Sequence, residues 1–329
     1  MPLPPDAVDI PGTLLTTQRG LSSLSGQHIV LAGGTGFLGR SLMSVLMESK
    51  CRITVLTRSR RMTADKDVRF VEWDGRSIGL WTDAIDGADA IVNFTGKNAN
   101  CRLTERNRRE LAESRRNAVI VLAAAMNLCR RRPGVFVQCS AVGVYGDTKS
   151  CCDEQTKEGD GMLADIARTC EAAFCSADLK DTRQVLLRLG VVLGRDGGAL
   201  PSLARLTRCF MGGAAGSGKQ YLSWIHAQDL NRIIACTIGN PNIEGTFNAV
   251  SPMPVTNAEF MQTLRRVLGK PWSPPVPAIL LRAVAFAAGL NSELVLTGQR
   301  CAPCRLQEIG FHFEFGGLEK ALRDLLESG

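Results

Sequence analysis

The sequence predicts an α/β protein with a doubly wound parallel sheet, and three observations support that prediction. Short apolar runs at 29–32, 53–56, 68–71, 90–94, 135–139 and 185–189 have the length of buried strands. Longer segments with helical periodicity, 37–49, 104–131 and 162–177, lie between most of these runs. A glycine-rich turn at 33–39 joins the first strand to the first helix. Strands that alternate with helices form a parallel sheet covered by helices on both faces, because such crossovers are right-handed.

The chain divides into a leader, a core and a C-terminal lobe. Its 329 residues, 45% of them hydrophobic and 22% charged, are enough for a folded core with a smaller lobe. Residues 1–25 carry no periodic apolar face and are expected to form a disordered leader. The strand–helix alternation occupies residues 26–240. Repeated prolines then separate short helices, so residues 241–329 are expected to form a mainly helical, substrate-side subdomain, with Thr256 or Asn257 capping one helix.

Charge and hydropathy exclude two classes of partner. The net charge is +7, but the basic residues are scattered, and the densest stretch, 102–116, contains three glutamates. That mixture predicts a solvated helix face, and we expect no nucleic-acid partner. No apolar run approaches the roughly 18 residues that a membrane span requires, and we expect no membrane partner.

The cysteines predict a reducing compartment. Twelve cysteines are dispersed through predicted strands and helices, without the spacing of a disulfide framework. A cytoplasmic protein is expected, and import into an organelle is the alternative. Transit peptides are rich in arginine and poor in acidic residues, whereas this leader contains one arginine, Arg19, and two aspartates, Asp6 and Asp9. The pair Cys301 and Cys304 forms a lone C-x-x-C motif, and the three histidines lie far apart, so no metal site is expected.

The glycine-rich turn predicts a dinucleotide site. It follows an apolar strand and opens a helix, which is the context that gives a glycine motif meaning. Glycines allow the backbone to approach a pyrophosphate, and the N-terminus of the helix supplies N–H groups and a positive dipole. This is the arrangement of the Rossmann fold. The expected contacts are Gly33, Thr35, Gly36, Phe37, Leu38 and Gly39.

The end of the second strand predicts NADP rather than NAD. NAD sites usually carry a carboxylate there that binds the ribose 2′-hydroxyl. In this chain the strand ends at Thr57 and Arg58, and no carboxylate follows. The guanidinium of Arg58 is suited to a 2′-phosphate, with Thr57 or Ser59 as a hydroxyl partner. The alternative is a basic loop that faces solvent.

Further motifs resemble one enzyme superfamily. The glycine turn, the stretch 92–96 after the fourth strand and Ser140-Ala-Val-Gly-Val-Tyr-Gly-Asp147 after the fifth resemble the extended short-chain dehydrogenases and NAD-dependent epimerases. More narrowly, residues 28–327 resemble the epimerase-like family 39U subgroup. The stretches that support this are 110–115, 188–199, 216–220, 223–229 and 298–300.

The resemblance implies further cofactor contacts. Thr57 and Arg58 would hold the adenosine phosphate, and Phe94, Thr95 and Gly96 would pass beside the adenine ribose and the pyrophosphate. Val192 would lie near the nicotinamide. Glu110 and Arg115 would face the cofactor from the long helix, with a surface ion pair as the alternative for these two residues. Relatives also imply a homodimer through the helices predicted at 104–131 and 162–177.

The chain departs from the superfamily at the proton-transfer site. Active relatives carry a Tyr-x-x-x-Lys pair on the helix after the fifth strand, where the lysine lowers the pKa of the tyrosine. Alignment on Glu171 places Leu163 and Ala167 at those two positions. The remaining catalytic candidates are Tyr145 and Ser140. The candidates on the substrate side of the cleft are Lys219, Gln220, Trp224 and His226. Packing in the core is the alternative for Tyr145 and Trp224, and a hydrogen bond within a buried turn is the alternative for His226.

Two functions therefore remain open. The first is an NADP-dependent oxidoreductase or epimerase that acts on an unidentified small polar substrate, with Tyr145 or Ser140 assisting proton transfer. The second is a non-catalytic NADP(H)-binding protein that acts through a partner. The predicted cleft favours the first function, and the missing tyrosine and lysine favour the second.

Overall fold

A computed structural model describes residues 24–59, 65–102 and 104–327. Its centre is a seven-stranded sheet with the order β3-β2-β1-β4-β5-β7-β11, in which every neighbouring pair is parallel. These strands are β1 (His28–Ala32), β2 (Arg52–Thr57), β3 (Val68–Glu72), β4 (Ala90–Asn93), β5 (Val135–Ala141), β7 (Arg183–Leu189) and β11 (Gly245–Ala249). The predicted doubly wound sheet of the Rossmann type is confirmed.

Ten α-helices lie in the described part of the chain. They are α1 (Phe37–Glu48), α2 (Glu105–Leu128), α3 (Met162–Cys175), α4 (Leu200–Arg208), α5 (Ala227–Gly239), α6 (Asn257–Val267), α7 (Ala278–Ala288), α8 (Glu293–Leu296), α9 (Cys304–Glu308) and α10 (Leu318–Glu327). The short strands are β6 (Cys151–Cys152), β8 (Val191–Leu193), β9 (Tyr221–Leu222), β10 (Trp224–His226), β12 (Val255–Thr256) and β13 (Arg300–Cys301). Short 3-10 helices occupy Leu80–Ala84 and Val142–Tyr145. No described helix is long and apolar enough to cross a membrane.

The two faces of the sheet form two separate cores. Side chains alternate along a strand, so Ile29 and Leu31 of β1 pack on one side with α1 and α5. Val30 and Ala32 pack on the other side with α2 and α3. Because both faces are covered, most positions of the central strands are apolar, which explains why apolar runs located them correctly.

The expected boundary at residue 240 lies too early. Strand β11 pairs in parallel with β7 and completes the sheet, and Phe247 packs in the first core. Sequence patterning missed this strand because Gly245, Thr246 and Asn248 interrupt its apolar character. Residues of the lobe, including Leu306, also pack on the first core, which joins the lobe closely to the sheet.

The expected leader, residues 1–25, also extends two residues too far, into the folded core. Leu24 is completely buried in the first core, and its carbonyl accepts hydrogen bonds from Gln27 N and from the thiol of Cys51. Burial of a leucine contributes about 1.5–3 kcal/mol, so the folded core begins by residue 24. Residues 1–23 lie outside the described residues.

Two short strand pairs, β12 with β9 and β13 with β6, connect the lobe to residues 26–240. A third pair, β10 with β8, lies within those residues. Helix α6 begins at the predicted cap, since the Thr256 hydroxyl accepts a hydrogen bond from Glu259 N and the Glu259 carboxylate accepts one from Thr256 N. The pair of β13 with β6 joins the lobe to the segment that follows β5.

Candidate functional site

A large cleft opens at the carboxyl edge of β1, β2, β3 and β4. Its volume is about 1410 Å³, and ligands of open α/β sheets bind at this edge. Nine of the predicted cofactor residues line it: Gly33, Thr35, Gly36, Thr57, Arg58, Phe94, Thr95, Gly96 and Glu110. The structure therefore brings together residues from three loops and helix α2 that sequence patterning and the family resemblance assigned to one ligand.

The glycine turn requires glycine for two physical reasons. Gly33 has φ of +75°, and a Cβ atom there would lie 3.1 Å from the backbone nitrogen of Thr95. A side chain at Gly39 would overlap the backbone of Gly34, so glycine at this position lets the first turn of α1 press against the loop. The turn thus places bare backbone at the bottom of the cleft.

Two groups in this part of the cleft lack partners and are suited to a phosphate-containing ligand. Gly36 caps α1 without a side-chain hydrogen bond, so the first N–H groups of the helix remain available to an anion. The hydroxyl of Thr95 is buried and has no hydrogen-bond partner among the described residues. An unpaired buried hydroxyl is costly, and the pyrophosphate or ribose of a dinucleotide would satisfy it.

The adenosine end of the cleft contains charged residues that sequence patterning did not identify. Arg58 lies there as predicted, and Arg76 and Asp74, from the loop after β3, lie beside it. Hydrogen bonds from Ser77, first from its hydroxyl, hold the pKa of Asp74 at about 2. A signal was available in the sequence, because β3 was predicted next to β2 and the loops after adjacent parallel strands meet at one edge.

Lys97 and Glu110 form a charged wall of the cleft. The Lys97 ammonium donates to Glu110 Oε2 and to Asn107 Oδ1, both at 2.6 Å, and Arg106 Nε donates to Glu110 Oε1 at 2.8 Å. The hydrogen bond from Lys97 is the main reason that the pKa of Glu110 falls to about 2. Glu110 therefore lines the cleft as expected, but its carboxylate is already paired with Lys97 and Arg106. Lys97 also lines the cleft and was not among the predicted residues.

Arg115 lies beneath Gly96. A Cβ atom on Gly96 would meet the Arg115 guanidinium carbon at 2.9 Å, so the glycine allows the arginine to lie against the loop. Arg115 Nη1 donates to the Leu111 carbonyl, and within the described ranges no carboxylate pairs with it. Burial lowers the pKa of this guanidinium. A partly buried cation without a carboxylate partner is suited to an anionic ligand.

The two dyad positions are apolar in structure as well as in sequence. Leu163 packs in a small cluster with Met162, Ile166, Leu111 and Cys101. Ala167 is buried against the 3-10 helix Val142–Tyr145. No proton-transfer group of the superfamily type lies on α3.

Tyr145, the first catalytic candidate, points into the core rather than toward the cleft. Its hydroxyl lies 2.8 Å from the Asp153 carbonyl, 2.8 Å from Asn248 Oδ1 and 2.9 Å from Arg188 Nη1, which donates to it. Burial raises the pKa of the phenol to about 12. The placement of Tyr145 at the cleft that a catalytic role requires is not observed, because its ring packs in a buried cluster with Val144, Cys152 and Cys301.

Ser140 belongs to the same buried network. Its hydroxyl donates to Glu171 Oε1 at 2.6 Å, and Arg188 Nη2 donates to Glu171 Oε2 at 2.8 Å. The next residue, Ala141, is exposed, and alternation along the strand directs Ser140 to the opposite face of β5. Neither residue lines the cleft. Neither catalytic candidate therefore presents its hydroxyl to the cleft, and a catalytic role for either remains a prediction.

Two of the proposed substrate-side residues lie elsewhere. Trp224 is completely buried in the core of the lobe, and its indole donates to the Met253 carbonyl. His226 caps α5 by accepting from Gln228 N, and its ring stacks on Phe315. His226 lines a different hollow, of about 650 Å³, behind α1. Trp224 therefore packs in the core, and His226 makes a hydrogen bond within a buried turn; these are the alternatives that the sequence left open for the two residues.

The other two substrate-side candidates lie in the glycine-rich loop before β9. Gln220 Nε2 donates to the carbonyls of Ala215 and Val295 and thus connects this loop to α8. Lys219 is exposed. No contact in the structure tests whether these residues meet a substrate.

Two further predicted contacts lie beside the glycine turn. The Phe37 ring fills space above Gly194 and Gly197, where any Cβ atom would overlap it, so only the backbone of Phe37 is available at the start of α1. Leu38 packs against the first core. Val192 is half-buried on β8, and its carbonyl lies close to Gly198.

The comparisons with known proteins agree with this architecture. The sequence model of the NAD dependent epimerase/dehydratase family matches residues 29–249, and a domain of unknown function, DUF1731, matches residues 276–325. The epimerase family protein SDR39U1 homolog, chloroplastic, of Arabidopsis thaliana is 34% identical over 332 residues, covering 99% of this chain and 94% of that protein. The epimerase family protein YfhF of Bacillus subtilis is 32% identical, covering 91% of this chain and 98% of that protein.

Solved structures of epimerase family proteins also resemble this chain. The human epimerase family protein SDR39U1 (isoform 2), crystallised with NADPH, superposes with a TM-score of 0.83 at 30% identity, covering 92% of this chain and all 100% of that chain. A nucleoside-diphosphate sugar epimerase from Corynebacterium glutamicum superposes with a TM-score of 0.76 at 28% identity, covering 95% of this chain and 62% of that one. The chain belongs to the NAD dependent epimerase/dehydratase family and resembles its SDR39U1 members along nearly its whole length.

Proposed function

We propose that the chain binds NADPH in the cleft and acts as an NADP-dependent oxidoreductase or epimerase of the SDR39U1 type on a small polar molecule. The observation that carries this proposal is the pairing of an uncapped helix N-terminus with the buried, unpartnered hydroxyl of Thr95. Both groups lie in a cleft where strand β2 is followed by Arg58 rather than by a carboxylate. The human SDR39U1 structure with NADPH supports the same cofactor.

Each part of the cleft would perform one task in this function. The backbone at Gly33 and the start of α1 would hold the pyrophosphate, Arg58 and Arg76 would pair with the 2′-phosphate, and Arg115 would add positive charge below the loop. NADPH, when bound, supplies a hydride. Val192 would border the nicotinamide end.

The substrate half of the cleft would offer apolar surface rather than a proton donor. Leu163 and the exposed Ala141 offer no hydrogen bond, so protonation of a reduced carbonyl would depend on the substrate itself or on solvent. General acid–base catalysis is typically worth 10²–10⁴-fold. We therefore expect slow turnover of the ketones, alcohols and sugar nucleotides that relatives with the Tyr-x-x-x-Lys pair accept.

A non-catalytic NADPH-binding role is the second candidate, and one observation favours it. Both hydroxyl groups nearest the expected reaction centre, on Tyr145 and Ser140, already have partners inside the protein. Single-turnover oxidation of bound NADPH with a panel of small carbonyl compounds separates the two functions. Oxidation of NADPH coupled to reduction of any member supports the enzyme, whereas none above the protein-free rate favours the binding role.

The cofactor assignment is tested at Arg58. A bidentate, charge-assisted contact is worth about 1.5–3 kcal/mol, so Arg58→Ala should weaken NADPH binding by about tenfold or more. NADH, which has no 2′-phosphate, should bind the variant and the wild type almost equally. Calorimetric titration of both dinucleotides measures this difference.

A matched control uses a second exposed arginine. Arg69 lies on β3, is exposed and does not line the cleft, so Arg69→Ala should leave both affinities unchanged. Equal losses for NADPH and NADH at Arg58→Ala, or no loss of either, would contradict the assignment of NADP.

Two further proposals concern the assembly and the compartment. We infer a homodimer through the outer faces of α2 and α3, where Ile120 and Leu128 are exposed; sedimentation velocity measures this. We also infer a reducing compartment, the cytoplasm or the interior of an organelle, because all twelve cysteines are free. Fluorescent fusion of the full chain distinguishes the two locations.

A further inference from the structure

The positive charge of the protein is concentrated in two segments. Residues 197–228 and 260–292 contain no aspartate or glutamate, whereas they carry seven lysines and arginines. This number equals the net charge of +7, so the rest of the chain is balanced. The seven basic residues are Arg205, Arg208, Lys219, Arg265, Arg266, Lys270 and Arg282.

The fold brings these two segments side by side. The Lys270 ammonium lies 4.5 Å from the centre of the Phe210 ring, and Arg265 Nη1 donates to the Gly212 carbonyl. Further along, Gly216 N donates to the Val276 carbonyl. The segments therefore form one continuous surface, which extends from the end of α4 to helix α7.

This surface exposes large apolar side chains. Helix α7 contains no buried residue, although ten of its eleven residues are apolar. Ile279 is 81% exposed, Phe286 69% and, in the adjacent loop, Trp272 64%. A helix that is apolar on all sides is normally buried, and exposed apolar patches on folded proteins mark interaction sites. We define the apolar–basic face as Phe210, Met211, Trp272, Ile279, Leu280, Val284 and Phe286 with Arg205, Arg208, Lys270 and Arg282.

We propose that the apolar–basic face docks on the surface of an anionic phospholipid bilayer. Aromatic and aliphatic side chains enter the boundary between headgroups and acyl chains, and neighbouring lysines and arginines remain at the headgroup level. Arg205 and Arg208, at the end of α4, are exposed beside the apolar residues. The face carries four cations, and the two segments that form it contain no carboxylate, so it is complementary to anionic lipid.

The positive charge of the face makes it unfavourable for a second copy of this chain to bind there. Two copies that met through this face would bring Arg205, Arg208 and Arg282 of each toward the same cations of the other, and like charges at an interface are unfavourable. An anionic bilayer supplies both an apolar interior and the opposite charge.

This proposal revises the expectation that the protein has no membrane partner. That expectation rested on the length of an apolar run that could span a bilayer. Contact with a bilayer surface requires only exposed apolar side chains with cations around them, and those are dispersed over two segments of the sequence. Only the fold shows that they share a surface.

Co-flotation of the full chain with vesicles tests the proposal. One vesicle population contains phosphatidylcholine alone, and the other contains phosphatidylcholine with 30 mol% phosphatidylserine. We expect binding to the anionic vesicles, at least about tenfold less binding to phosphatidylcholine, and a marked loss at 500 mM salt, because salt screens the surface potential.

Two paired variants assign the binding to this face. Ile279→Glu/Phe286→Glu should reduce partition onto anionic vesicles by at least about tenfold, as should Arg205→Glu/Arg208→Glu. The matched controls are Leu80→Glu, at a residue 93% exposed outside the face, and Arg116→Glu/Arg130→Glu, which makes the same charge change elsewhere. Unchanged thermal unfolding confirms that each variant is folded, and the controls should bind vesicles like the wild type.

Three results would overturn the proposal: no flotation of the wild type with anionic vesicles, equal flotation with both vesicle types, or equal losses in the face variants and their controls. Dimerisation without lipid that Ile279→Glu/Phe286→Glu abolishes, together with no flotation, would assign the face to a second copy instead.

Discussion

The polar groups of two neighbouring regions differ in their hydrogen bonding. We call these regions the cofactor half, around the glycine turn, and the proton-transfer half, between β5 and α3. Around the glycine turn, the Thr95 hydroxyl is buried without a partner and the start of α1 has no side-chain cap. Between β5 and α3, every hydroxyl that could assist catalysis is already bonded, as the contacts of Tyr145 and Ser140 show. Buried polar groups are almost always satisfied in folded proteins, so the first half is prepared for a ligand and the second is complete without one.

The comparison teaches where this chain departs from its family. A tyrosine that serves as acid or base needs a lowered pKa, whereas burial raises the pKa of Tyr145 to about 12. The ion pair of Arg188 and Glu171 fills the space beside it. The dinucleotide site has been kept, and the adjacent polar residues have become part of the core.

The largest expected effect is on stability, at the centre of the proton-transfer half. The side chains of Arg188 and Glu171 are 9% and 4% exposed, and Arg188→Met would leave a buried carboxylate unpaired. Loss of one partner of a buried pair costs about 3–5 kcal/mol. Denaturant unfolding should show that loss, with little change in NADPH affinity under conditions where the variant is folded.

Two controls accompany this variant. Arg168→Met removes an arginine with two ion pairs at the surface and should cost less than about 1 kcal/mol. Glu171→Met/Arg188→Met removes both charges and should recover most of the stability. A tenfold or larger loss of NADPH affinity in folded Arg188→Met would show that the network belongs to the cofactor site.

The next effect is on affinity, in the cofactor half. Arg115 has no carboxylate partner among the described residues, so Arg115→Met should alter stability little. Loss of a partly buried cation near an anionic cofactor should weaken NADPH binding by about tenfold. Calorimetry measures this, with Arg109→Met, on the same helix but paired with Glu105 at the surface, as the control. An unchanged affinity would contradict a role of Arg115 in cofactor binding.

The smallest effect concerns the pH dependence of a histidine outside both halves. Burial lowers the pKa of His226 below its ordinary value of 6.5, although Asp324 opposes the shift. The unfolded chain therefore takes up a proton first. The stability that neutral His226 contributes is complete above pH 6.5 and is lost as the pH falls toward the lowered pKa of the folded state.

His226→Gln tests this sign. The variant should lose less stability than the wild type between pH 7.5 and pH 5, by about 1 kcal/mol or less, as thermal unfolding measures. NADPH affinity at pH 7.5 should not change, since His226 does not line the cofactor cleft. A reduced affinity would restore His226 to the substrate side.

The sequence predicted the cofactor half well because its determinants are local. The glycine turn, the apolar strand before it and Arg58 at the end of the second strand each have a backbone or charge requirement that a short motif expresses. Sequence also showed that Leu163 and Ala167 replace the dyad. It missed Arg76 and Lys97, whose place in the cleft depends on which loops the sheet brings together.

The direction of side chains was not predictable in the same way. Ser140 lies in β5 and Tyr145 follows it, but their orientation depends on residues more than 25 positions away, Glu171, Arg188 and Asn248. The mixed character of β11 likewise concealed a core strand, and Leu24 lies before the first periodic segment. Tertiary contacts determine all of these features.

Thermal unfolding of Thr95→Val and Tyr145→Phe, each with and without saturating NADPH, tests the central claim most directly. Thr95→Val removes an unpartnered hydroxyl, so without NADPH it should unfold at or above the wild-type temperature, and its NADPH-induced shift should be smaller, corresponding to a loss of about 0.5–1.5 kcal/mol of binding. Tyr145→Phe removes one hydrogen bond from Arg188 Nη1 and one from Asn248 Oδ1 and should lower the stability by about 1–3 kcal/mol, with the full NADPH-induced shift. The opposite pattern, a stable Tyr145→Phe with a reduced shift beside a destabilised Thr95→Val with a full shift, would contradict the account.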